Sequence, residues 1–225
     1  MELTRGILIT FEGIDGVGKS TQIEMLGMKL RLEGLPVVFT KEPGASCGGE
    51  TIRNLLFKDP STKGMFPGQA DCLLLYDHIG NVEGIIRPAL INRYIVLSDR
   101  YADSQFAYGA SSKRDTTPAT MKAYEDLYGI EPNMIIFIRA MFDADADELW
   151  TLKRAMVRRG IEAGKQSGKT WGISHEEQYI IQKAYIKRFM EKPQTSTIYV
   201  HEQDTKEAIS ESIYLHVKRL INGLQ

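Results

Sequence analysis

Five short apolar runs punctuate the chain: residues 6–11 (GILITF), 36–40 (PVVFT), 94–98 (YIVLS), 134–138 (MIIFI) and 197–201 (TIYVH). Each is apolar on successive positions rather than alternate ones, which predicts strands buried on both faces. Between them apolar residues return every three or four positions, as Ile23, Leu26 and Leu30 do, and that spacing predicts helices. Helices are expected over about 20–33, 48–57, 68–90, 117–128, 143–159, 174–190 and 205–222. The alternation predicts an α/β fold, a five-stranded parallel sheet flanked by helices on both faces. Gly34-Leu35-Pro36 stops the first helix. Asp204 is placed to cap the last, whose core face carries Ala208, Ile209, Ile213, Val217, Leu220 and Ile221.

Between the first strand and the first helix stands FEGIDGVGKSTQ, residues 11–22. From Gly13 to Ser20 it reads G-x-x-x-x-G-K-S, a phosphate-binding pattern in the strand–turn–helix context that such a loop requires. Glycines let the backbone wrap so that successive N–H groups point at one anion, and the following helix adds its positive end. Lys19 supplies a charge for the β- and γ-phosphates, and the Ser20 hydroxyl can ligate Mg2+. The glycine order, G-x-x-G-x-G, does not fit a dinucleotide fingerprint. A single P-loop domain over 1–225 is therefore expected, with a lid segment at about 154–173. Its centre, GIEAGKQSGKTWG at 160–172, reads as a solvated connection or as a mobile basic lid over phosphates, and the P-loop favours the lid.

Composition narrows the partners. The chain has 225 residues, of which 43% are hydrophobic and 25% charged, with a net charge of −1. A near-neutral balance argues against a constitutive nucleic-acid binder, which needs an excess of cations to release counterions. No apolar run approaches the length of a membrane span, and the N-terminus is not signal-like. Cys47 and Cys72 have no metal-ligand spacing, so they read as reduced, small, buried or half-buried residues of a cytoplasmic protein. His175, His201 and His216 are scattered likewise.

Ligands of open parallel sheets gather at the carboxyl ends of the strands, and the polar motifs of this chain follow its strands. Lys41-Glu42-Pro43-Gly44 follows the second, and Asp99-Arg100-Tyr101 the third. Asp99 stands where a carboxylate would hold magnesium's water shell beside the P-loop. Arg100 places a planar charged fork in the same crevice, suited to a second phosphate.

With these residues the chain resembles the thymidylate kinases, P-loop kinases that pass the γ-phosphate of ATP to dTMP. The likeness runs through FEGIDGVGKSTQ, TKEPGASCGGETIRNLLF, IIRPALINRYIVLSDRYADSQFAYGA and ADELWTLKRAMVRRG. The glutamate-proline-glycine turn combined with D-R-Y-x-x-S-x-x-A-Y is its specific part. The resemblance implies ATP and Mg2+ as cofactors, small nucleotide substrates and a homodimer, with the long helix at about 68–90 as the candidate dimer surface. It implies that Gly13, Ile14, Asp15, Gly16, Val17, Gly18, Lys19, Ser20 and Thr21 hold the ATP phosphates, and that Asp15 also meets the deoxyribose 3′-hydroxyl. Arg53 and Arg100 would grip the acceptor phosphate beside Pro43, while Glu42 and Asp99 would order the metal's waters. Ser104 and Gln105 would face the base, and Tyr108 would fill the space of a ribose 2′-hydroxyl. The P-loop holds no arginine, so Arg154, Arg158 or Arg159 of the lid would supply that charge.

Three positions depart from the family pattern. In ADCLLLYDHIGNVEGIIRPAL the aromatic that stacks on thymine becomes Leu74 and the base-reading arginine becomes His78, unless a register slip brings Tyr76 there. Arg139 follows the fourth strand in place of an acid and reads as a surface residue. The lid carries Lys165 and Lys169 without the usual D-R pair, and Trp171 reads as lid packing. The expected reaction is phosphorylation of a pyrimidine deoxynucleoside monophosphate, foremost dTMP. The alternatives are dUMP or a C5-modified acceptor, a GTPase-type switch suggested by Asp77-x-x-Gly80 and Ser112-Lys-x-Asp115, or a silent P-loop scaffold.

Overall fold

The computed structural model describes residues 3–59, 65–111, 126, 129–142, 150–151, 154 and 174–224. Its strands are β1 (Ile7–Glu12), β2 (Val37–Lys41), β3 (Ile95–Asp99), β4 (Met134–Ala140) and β5 (Thr195–Val200). They form one parallel sheet in the order β2-β3-β1-β4-β5. Every β1 residue is buried, because a central strand with helices over both faces has no wet side. Register places Phe11 beside Asp99, and Lys41 beside Asp99 from the other flank. The ends of β1, β2 and β3 therefore open onto one edge.

The helices are α1 (Lys19–Leu32), α2 (Gly49–Phe57), α3 (Pro67–Asn81), α4 (Arg87–Ile91), α5 (Ala102–Ser111), α6 (His175–Phe189) and α7 (Lys206–Gly223). On one sheet face Ile7, Ile9, Ile95 and Leu97 pack with Ile23, Leu26 and Leu30 of α1 and with Ile213, Val217 and Ile221 of α7. On the other, Leu8 and Val96 pack with Val82, Ile86 and Ala89. One of the seven expected helices, 117–128, lies outside the described residues apart from Asp126; of 143–159 only Trp150, Thr151 and Arg154 are described, and nothing of 160–172.

Several local expectations change. The helix expected at 68–90 begins at Pro67 and ends at Ile91, with one wider π turn over Val82–Ile86 between α3 and α4. The residues flanking the π turn stay right-handed helical, so the three pieces form one continuous rod. Pro88 accounts for the wider turn: its ring removes a backbone donor and crowds the carbonyl four residues back. At the foot of this rod Gly6 meets Leu90 so closely that a Cβ on Gly6 would lie 2.3 Å from the Leu90 carbonyl oxygen.

Helix α5 was not expected at all. Its buried face carries Asp103, Ser104 and Ala107, so hydrophobic periodicity does not show it. Asp103 accepts from Arg188 Nε at 2.9 Å and Lys192 Nζ at 2.8 Å, which ties α5 to α6 and its C-terminal flank. Thr205, not Asp204, caps α7 by accepting from the Ala208 amide; Asp204 instead accepts from the His201 amide. Ala208 is exposed, unlike the rest of its expected face. Both cysteines are exposed rather than buried. Arg139 is half-buried over the Tyr199 ring, 5.5 Å from its centroid, rather than a simple surface residue.

Candidate active site

The loop between β1 and α1 is shaped by backbone angles closed to most side chains. Gly13, Gly16 and Gly18 have φ of 145°, 79° and 106°, values at which L-residues are strained. A Cβ on Gly18 would meet nothing within 4 Å, so conformation rather than crowding requires glycine there. Lys19 is buried and bends back over its own loop, donating to the Gly13 and Ile14 carbonyls at 3.0 and 2.9 Å. Burial, and next the nearby Arg100 cation, push its ammonium down to about 8. Ser20 Oγ donates to Asp99 Oδ2 at 2.6 Å. This joins the loop to the end of β3.

Arg100 sits in a left-handed backbone conformation, φ 74°, which costs a non-glycine residue energy and needs support from its surroundings. Two bonds give that support: its amide donates to the Phe11 carbonyl at 3.0 Å, and its own carbonyl accepts from Ser98 Oγ at 2.6 Å. The turn aims the guanidinium into the P-loop. Nη2 donates to Asp15 Oδ1 at 2.5 Å and to the Tyr108 hydroxyl at 2.7 Å. Nη1 donates to the Gly13 carbonyl, Ser104 Oγ and the Tyr185 hydroxyl at 3.1–3.2 Å. Burial raises the Tyr108 and Tyr185 hydroxyls far above their ordinary range, so both remain protonated.

A second group gathers on the turn after β2. The Glu42 carboxylate accepts from Asn81 Nδ2 at 2.7 Å, and its other oxygen lies 2.8 Å from His78 Nδ1. Asn81 in turn accepts from Thr40 Oγ1 at 2.5 Å. Asp77 accepts from the Gly44 amide at 2.9 Å and from Ser46 Oγ at 2.5 Å. Arg53 Nη1 donates to the Pro43 carbonyl at 2.9 Å. Helix α3 thus holds the glutamate-proline-glycine turn from behind through Asp77, His78 and Asn81.

The structure brings Asp15, Lys19, Ser20, Asp99, Arg100, Ser104 and Tyr108 together at the P-loop, with Ile14 and Val17 buried beneath and Thr21 exposed on α1. Glu42, Pro43, Arg53 and His78 form the adjoining group. Gln105 is half-buried, and its Oε1 is enclosed without a hydrogen-bond partner among the described residues. Leu74 is half-buried on α3. His78, expected to offer an edge to a base, is only 1% exposed, held against Glu42 and 4.9 Å from the Tyr101 ring centroid. Tyr76, the other candidate for that place, is 60% exposed. Arg154 is exposed, stacked 4.6 Å from the centroid of Trp150, and donates to the Glu202 carbonyl. Arg158, Arg159, Lys165, Lys169 and Trp171 lie outside the described residues.

Glu12 and Tyr185 belong to this constellation, and sequence reasoning missed both. Glu12 interrupts an apolar strand with a carboxylate just before the first loop glycine, a signal that could have been read. Tyr185 carries no such mark. Asp77, which suggested a GTPase motif, lies within α3 rather than at a strand end.

Comparison with known proteins decides the relationship. The family model for thymidylate kinase matches residues 11–213. The chain belongs to the thymidylate kinase family. A thymidylate kinase of Ruegeria pomeroyi is 37% identical over 162 residues, covering 70% of this chain and 71% of that protein. A probable thymidylate kinase of Methanocorpusculum labreanum is 33% identical over 193 residues, covering 84% and 86%. In fold, the chain superposes on the thymidylate kinase of Ehrlichia chaffeensis with a TM-score of 0.69 and 23% identity, over 95% of this chain and 98% of that one. The fold is that of the P-loop NTPases, and thymidylate kinase membership makes the chain a nucleoside-monophosphate kinase that uses nucleotides. This does not favour the modified-acceptor, switch and scaffold alternatives. No helix among the described residues is long and apolar enough to cross a membrane.

Proposed function

We propose that this chain transfers the γ-phosphate of ATP to the 5′-phosphate of dTMP. The observation that carries the reading is the placement of Arg100, whose guanidinium lies 2.5 Å from Asp15 inside the phosphate loop. A donor cradle and a second anion fork thereby share one crevice. Loop amides and Lys19 hold the β- and γ-phosphates of ATP; Arg100 and Arg53 hold the acceptor phosphate beside Pro43. Phosphoryl transfer asks mainly for alignment and positive charge around the moving group, which these residues supply. An arginine of the segment 154–173 adds charge on the donor side.

Asp15 takes the sugar 3′-hydroxyl, and Tyr108, fixed by Arg100, fills the place of a 2′-hydroxyl. The Gln105 side chain lies toward the base, while the Ser104 hydroxyl supports Arg100 beside it. Leu74 completes that pocket, and His78 supports it through Glu42. The Ser20–Asp99 pair fits Mg2+, a hard cation that takes few protein oxygens beside phosphate and water. Glu42 would order its waters. Bound there, Mg2+ would neutralise charge on the phosphates. The same reading places the enzyme in the cytoplasm as a homodimer, through the α3 face where Tyr76 and Ile79 are exposed.

The test is ADP release from ATP with dTMP, dUMP, dCMP and uridine monophosphate as separate acceptors. dTMP is expected to give the highest kcat/KM. ADP release independent of any acceptor would overturn the reading.

A further inference from the structure

Glu12 ends β1 as a fully buried carboxyl group. One oxygen accepts from the Tyr101 amide at 2.8 Å. The other lies 2.5 Å from Ser104 Oγ and 2.9 Å from the Tyr185 hydroxyl. Those two hydroxyls are 2.7 Å apart, and each accepts from Arg100 Nη1. They come from α5 and α6, elements distant in sequence, and among the described residues Glu12 and Arg100 each contact both. A hydroxyl rotor is free unless its partners fix it. With Glu12 and each other as their remaining partners, each hydroxyl keeps a lone pair for Arg100.

We propose that Glu12 is a positioning residue for the acceptor, orienting Arg100 through the Ser104 and Tyr185 hydroxyls. This rests on the reading of Arg100 as the acceptor-phosphate fork. Arg100 has five donors and a single productive orientation toward a phosphate. Asp15 and Tyr108 hold one edge of the guanidinium and the hydroxyl pair holds the other. Loss of the second hold leaves the charge in place and frees the plane to turn.

The experiment compares Glu12→Leu, Tyr185→Phe, the double variant and Arg100→Lys with the parent enzyme, using ATP and dTMP. Leucine suits a buried strand and removes every side-chain bond that Glu12 makes. Glu12→Leu is expected to raise the dTMP KM about tenfold or more, on the scale of a hydrogen bond to a charged group, with the ATP KM within about twofold. Tyr185→Phe should raise the dTMP KM in the same selective way. Because both act through one chain of contacts, the double variant should fall short of the product of the single effects.

A merely structural role predicts lowered stability with both KM values unchanged or raised together, and that result overturns the proposal. So does full multiplicativity in the double variant. If Glu12→Leu does not fold, an unchanged dTMP KM in Tyr185→Phe overturns it and a selective rise supports it. Arg100→Lys separates the two failures. A selective rise in dTMP KM there, with none in Glu12→Leu, refutes the role of Glu12 alone; no rise in Arg100→Lys refutes the fork, and this proposal with it.

Discussion

Arg100 donates to five protein acceptors through two nitrogens. Lysine can carry its charge but cannot reproduce that fork. Arg100→Lys should lower kcat/KM for dTMP about ten- to hundredfold, the scale of one or more charged hydrogen bonds, and leave ATP affinity nearly unchanged. Steady-state kinetics with each substrate varied in turn measures this. Glu12 makes a different prediction. Burial and then Asp103 push its carboxyl up to about 8, against the pull of Ser104, Arg100 and Tyr185. The folded chain therefore keeps a proton that the unfolded chain releases from its ordinary value of 4.5. Stabilisation from that proton is complete below 4.5 and is lost as pH rises to about 8. Denaturant titrations across that window should show stability falling with pH, and a flatter slope in Glu12→Leu. Lys19, Ser20, Asp99 and Arg100 were legible as candidates because phosphate chemistry demands their types at fixed places. Tyr185 was not, since its hydroxyl matters only once α6 has folded against α5.

At the scale of elements, the turn after β2 depends on α3 more than its own residues suggest. Asp77 takes the Gly44 amide and the Ser46 hydroxyl on its two oxygens. Asp77→Ala removes both and leaves a half-buried amide and a buried hydroxyl without their acceptor, a cost of about 1–3 kcal/mol. The dTMP KM should rise several-fold, the melting temperature should fall, and the ATP KM should hold; kinetics and calorimetry together check this. A melting temperature that falls with dTMP KM unchanged would mean the latch serves the fold alone. Most elements were readable from periodicity, and α1 shows why: Ile23, Leu26 and Leu30 are all buried. Helix α5 was not readable, because the face it buries includes Asp103 and Ser104. The π turn was hidden for another reason. A hydrophobic pattern marks which residues are covered, and one extra residue taken up in a single turn leaves that pattern helical on either side.

For the whole molecule, strand order decides which side of the site does what. β1 lies centrally, with β3 and β2 on one flank and β4 and β5 on the other. Arg100, the proposed acceptor fork, and Glu42 follow β3 and β2, while Arg154 reaches the Glu202 carbonyl beyond β5. The parallel sheet was legible from five doubly buried runs, but its lateral order was not, because pairing between strands distant in sequence leaves no local trace. The rod from Pro67 to Ile91 crosses this sheet over roughly 35 Å at the usual helical rise. Asp77 and His78 ride near its middle, and its foot stands on Gly6, at the rim opposite the P-loop. Continuous helix joins the two, so a shift at the foot is expected to reach the turn after β2. Gly6→Ala would thrust a methyl group into the Leu90 backbone, costing about 1–3 kcal/mol by overpacking. The melting temperature should fall, and the dTMP KM should rise although no substrate comes near. That outcome would make one glycine at the far rim a determinant of how the turn after β2 is seated.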